Sequence, residues 1–122
     1  MIDPINIDVC TVNVETREHL KNFSNIRLTE DAKIRIVDFP EEIDSNHYCI
    51  LIFNGHLPEF ANKVDEVWIP SLDKKIELRR WGVKKPIFIM TENNDLLPYC
   101  MKDRLASIQD RINKWKEKVA QP

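Results

Sequence analysis

Apolar positions in this chain collect into short, dense runs, and the densest, Cys49 to Phe53, stops at Asn54-Gly55 with Pro58 following. A run bounded in this way reads as a buried strand entering a loop. Five segments in all have strand character: Ile7 to Val12, Lys33 to Asp38, Tyr48 to Asn54, Glu66 to Ile69 and Pro86 to Thr91. Three of them are near-continuous rather than alternating, which is the pattern of a sheet covered on both faces. Helical segments lie between. Glu15 to Phe23 follows Asn13 as an N-cap, and Leu72 to Trp81 follows Ser71, with Asp73 in the first turn where a carboxylate suits the helix dipole. At the end of that second helix Gly82 can take the left-handed conformation, Val83 can close the accompanying apolar contact, and Pro86 opens a strand. A last helix, Lys102 to Val119, sets Leu105, Ile108, Ile112, Trp115 and Val119 on a 3-4-3-4 spacing. The connections around Pro40 to Ser45 and Pro58 to Lys63 leave room for a turn or two of helix.

Strands alternating with helices predict an α/β domain, and right-handed crossovers then fold the helices onto both faces of a parallel sheet. The expected architecture is a single domain over residues 1–122: a doubly wound, five-stranded parallel sheet of flavodoxin-like type, strand order 2-1-3-4-5. A chain of 122 residues can bury a core of that size without metal or disulfide support.

Composition narrows the classes. Eighteen Lys and Arg against 20 Asp and Glu give a net charge of −2, so no broad basic field is present to attract nucleic acid. The longest apolar run is far shorter than a membrane helix of about 20 residues. The amino terminus has no signal-peptide pattern, and a cytoplasmic location is expected. Cys10, Cys49 and Cys100 are odd in number and widely spaced, which favours reduced thiols over a disulfide framework or a zinc pair.

In open parallel sheets chemistry sits beyond the carboxyl ends of the strands. Here the candidate pocket residues at those ends are Asn13, Glu15, Asn54, Ser71 and Thr91, with Asp38 closing the second expected strand. The Asn54, Leu57, Pro58 spacing resembles that of response-regulator receiver domains, in which an aspartate ends strand three and a proline follows four residues later. Ser71 matches the family's switch hydroxyl, and Trp81-Gly82-Val83 is similar to its turn before strand five. The resemblance implies a degenerate receiver. In that family an aspartate accepts phosphate, an acidic couple holds magnesium and a lysine ends strand five, where this chain has Asn54, Asn13 with Glu15, and Thr91. An amide lacks the anionic oxygen needed to take a phosphoryl group, and one carboxylate holds magnesium weakly.

A second stretch, Leu57 to Met90, is similar to the acceptor-side domain of GT-B glycosyltransferases, in which a strand of D-x-V-W-x-P-S type precedes a helix and a Gly-Val turn. It implies, as the alternative, a fragment or split partner of such an enzyme. Other polar groups carry little chemistry. His19, His47 and His56 are not at metal-ligand spacing, Glu41, Glu42 and Asp44 read as a solvated turn, and Cys49 beside His47 lacks an orienting third group. With glycine only at 55 and 82, no phosphate loop exists.

The expected function is a non-catalytic signalling or protein-interaction module, with no cofactor and no metal. Its partner would be another protein, a second copy or a downstream output domain. Leu105, Ile108, Ile112, Trp115 and Val119 are candidates for that surface if they do not pack on the sheet.

Overall fold

The structure, a computed structural model, describes residues 3–4, 7–22, 26–53, 55–69, 75–90, 95–98 and 108–120. Its strands are β1 (Asp3–Pro4), β2 (Ile7–Cys10), β3 (Ile26–Leu28), β4 (Ile34–Val37), β5 (Tyr48–Ile52), β6 (Glu66–Ile69), β7 (Ile87–Met90) and β8 (Asp95–Pro98). Its helices are α1 (Val14–Leu20), α2 (Pro58–Ala61), α3 (Lys75–Trp81) and α4 (Ile108–Ala120), with a 3₁₀ turn at Pro40–Glu42. Ser71 and Asp73, the expected start of α3, lie outside the described residues.

All the described strands join one sheet in the order β1-β8-β7-β6-β5-β4-β2-β3. From β3 to β7 the neighbours are parallel, whereas β8 runs antiparallel to both β7 and β1. The α/β parallel sheet therefore stands, but the five-stranded order does not. Among the described residues, six parallel strands, numbered from β2, run 2-1-3-4-5-6, and antiparallel pairing adds β8 and then β1 at the far edge. The place expected for Lys33 to Asp38, beside β2 at the edge, is taken by β3. That strand is only Ile26, Arg27 and Leu28, too short to show a periodicity. Pairing with Ile7, Asp8 and Val9 forms it, and across this edge the Arg27 guanidinium donates to both oxygens of Asp8 at 3.0 and 2.6 Å. β8 also falls outside the five expected strands.

Alternation along the strands sorts the core onto two faces. On one, Ile7, Val9, Ile34, Ile36, Tyr48, Ile50, Trp68 and Phe88 pack with Leu20 of α1 and Ile112 of α4. On the other, Val37, Cys49, Leu51, Phe53, Val67, Ile69 and Ile87 pack with Phe60 and Ala61 of α2 and Leu78 of α3. The chain steps outward from β2 to β3 but in the opposite direction from β4 to β7, and right-handed crossovers put helices on opposite faces when the direction of winding reverses.

Local chemistry sets the helix ends. Asn13 caps α1, its Oδ1 accepting from the Thr16 amide at 3.0 Å. Pro58 occupies the first turn of α2, where its missing N–H has no helical partner to lose. After α3, Gly82 adopts φ +62° and the Val83 amide returns to the Leu78 carbonyl at 3.2 Å. No described helix is long and apolar enough to cross a membrane.

Candidate functional site

Parallel strands deliver their following loops to one end of the sheet, and the winding reverses between β2 and β4. At that point the first turn of α1 meets the end of β4: the Thr16 hydroxyl donates to Asp38 Oδ2 at 2.6 Å. The Asp38 amide donates to Glu42 Oε1 at 3.0 Å, which folds the Pro40–Glu42 turn back over the strand end. Beneath them Thr11 is buried, its hydroxyl accepting from the Asn13 amide at 3.3 Å and its carbonyl from Arg17 Nη2 at 3.0 Å. A groove of about 220 Å³ opens beside this cluster between the ends of β2 and β3, with Arg17, Thr11, Thr29 and Glu30 on its walls.

Asn13 therefore acts as a helix cap at the rim, and Glu15 stands exposed in the same first turn. Asn54, Ser71 and Thr91 lie outside the described residues. The added edge strand changes their correspondence all the same. With β3 in place, the third parallel strand is β4 and the residue closing it is Asp38, while Asn54 follows the fourth. The strand-end crevice thus retains a carboxylate, contrary to the expectation built on Asn54.

The same end carries exposed apolar side chains. Val12 and Val14 after β2, Phe39 after β4 and Leu57 after β5 are each more than half exposed. The same loops and helix starts carry exposed Glu15, Glu41 and Glu59 and half-buried Asp38 and Glu42. Because β2, β4 and β5 are adjacent, these loops form one rim.

A second polar centre is internal. Glu66, on β6, is fully buried, and four donors meet its carboxylate. Oε1 accepts from the Tyr48 hydroxyl at 2.8 Å and from Arg111 Nε at 2.7 Å, and Oε2 from Trp68 Nε1 at 2.5 Å and Arg111 Nη2 at 3.1 Å. An ionised carboxylate offers about four lone-pair sites, so this one is fully satisfied. The Arg111 guanidinium also lies 3.8 Å from the centroid of the Phe88 ring. Burial, and then the nearby Glu66 charge, drive the Tyr48 phenol far above its ordinary range. Trp115, one turn beyond Arg111, meets Tyr48 edge to face at 6.0 Å between ring centroids.

Of the five stripe residues proposed for a contact surface, Ile112 lies within the core and Trp115, half-buried, packs against it. Ile108 and Val119 fall on the α4 backbone, and Leu105 lies outside the described residues. Cys49 is fully buried, its thiol directed to the backbone carbonyls of Asp44 and His47 at 3.6 Å rather than to the imidazole, and burial pushes its pKa up. The His47 ring instead meets Asp44 Oδ2 at 3.0 Å.

Sequence reasoning missed Glu66 and Arg111. The available signal was a carboxylate opening an apolar strand in a sheet covered on both faces, where a charge needs a partner. No protein-family model, no curated protein and no solved structure matches this chain.

Proposed function

We propose that the protein is a non-catalytic protein-interaction module of flavodoxin-like class that works through the carboxyl-end rim of its sheet. The observation that carries this reading is the concentration of Val12, Val14, Phe39 and Leu57, all largely exposed, on adjacent loops at one end. Large apolar side chains left exposed at one place among polar groups are characteristic of a docking site. The contacts of the crevice support the same reading, because several of its groups already engage one another: the Thr16 hydroxyl donates to Asp38 Oδ2, the Asp38 backbone amide to Glu42 Oε1, and the Thr16 amide to Asn13 Oδ1.

Receiver-like ancestry remains part of the proposal, now with Asp38 rather than Asn54 at the end of the third parallel strand. The glycosyltransferase-like segment bears on the alternative reading, and its Glu66 and Trp68 are committed to internal hydrogen bonds.

Amide spectra recorded with magnesium and beryllofluoride test the non-catalytic assignment. The resonances of Asn13, Thr16 and Asp38 are expected to stay in place. A saturable shift centred on Asp38 would contradict it.

A further inference from the structure

The opposite end of the sheet carries the chemical complement of the rim. α3 runs from the carboxyl end back to the amino end and stops at Trp81, which is 55% exposed. Arg80 and Lys84 stand exposed on either side of it in sequence, and Lys85 follows. This turn is built rather than loose: Gly82 holds a positive φ, the Val83 amide bonds back to Leu78, and the Lys84 amide donates to Asn62 Oδ1 at 3.0 Å. An exposed indole flanked by cations therefore projects from a fixed turn at one end, while apolar side chains set among carboxylates line the other.

We infer that a second copy of this chain docks end to end, the Trp81 turn of one protomer seating on the rim formed by Val12, Val14, Phe39 and Leu57 of the next. The inference rests on the rim being an interaction surface and names its occupant. Charge complementarity selects this partner, because Arg80 and Lys84 would face Glu15, Glu41 and Glu59 across the contact. The same carboxylates repel an anionic lipid surface. Trp and Arg are the residue types that most often anchor interfaces. The two patches lie at opposite ends of one sheet, so the contact is heterologous and propagates as a chain of protomers instead of closing as a two-fold pair.

Charge reversal on each patch tests this. One variant carries Glu41→Lys with Glu59→Lys, and the other Arg80→Glu with Lys84→Glu; all four side chains are exposed, and circular dichroism checks that both variants fold. In sedimentation velocity the unmodified protein is expected to grow in mass with concentration at low ionic strength and to revert to monomer at high salt. Each variant alone should associate at least about tenfold more weakly, since like charges then oppose across the contact, and an equimolar mixture should recover association. Trp81→Ser should weaken association without any change of charge. A strict monomer at low salt, variants that associate as the unmodified protein does, or a mixture that stays monomeric each overturns the inference. An amphipathic lysine-leucine peptide separates the two readings. Binding at the rim by a monomeric protein would remove the second copy as occupant and keep the interaction module, whereas a monomer that binds no peptide would remove both.

Discussion

Replacing Arg111 with methionine deletes the cation that neutralises Glu66 while leaving a side chain of similar length in the same place. The carboxylate is fully buried, and Arg111 supplies two of its four donors, at 2.7 and 3.1 Å. Tyr48 and Trp68 still donate, but they bring no charge, and removing one partner of a buried ion pair costs about 3–5 kcal/mol. Against a total stability of about 5–15 kcal/mol for a domain, that is a large fraction. In urea titrations followed by tryptophan fluorescence, the midpoint should fall by roughly 2 M. Arg111→Lys keeps the charge and loses the fork, so its midpoint should lie between the two. Glu66→Gln alone strands the guanidinium instead. Combined with Arg111→Met it should cost less than the sum of the single changes, by a coupling of at least about 2 kcal/mol. A midpoint shift below about 0.5 M for Arg111→Met with unchanged slope, or additive costs in the cycle, would refute the claim that this pair holds α4 to the sheet.

Three further outcomes follow from the same packing. Burial raises the pKa of Cys49 and of Tyr48, so the fold favours their neutral forms. That contribution is intact below about pH 8.5 for the thiol and about pH 10 for the phenol, and is lost as pH rises further, so urea midpoints should decline through the alkaline range and Cys49→Ala should flatten the first part of the decline. Ile112→Ala empties a core position on α4 that is 3% exposed and should cost about 2–5 kcal/mol in the same titration; a cost under 1 kcal/mol would place the helix face outside the core. Asn13→Ala removes the side-chain cap of α1 and should cost about 1 kcal/mol, with faster hydrogen exchange at the Thr16 amide as its local signature.

What the sequence determined by itself is the set of elements whose causes are local. The apolar runs became β2 and β4 to β7 because dense β-forming side chains suit strands buried on both faces. Asn13 capped the first helix and Gly82 ended the third because a short polar side chain and a missing Cβ act within one turn of the chain. Tertiary structure decided what depends on neighbours distant in sequence. β3 is three residues made into a strand by an edge that β2 left open, and its presence moves the third parallel strand to the one closed by Asp38. Glu66 and Arg111 stand 45 positions apart, and only the docking of α4 turns two ordinary charges into one buried pair. Val12, Val14, Phe39 and Leu57 share no spacing along the chain. They form a rim because parallel strands carry every following loop to the same end, so strand order, which local periodicity does not encode, selects which side chains meet.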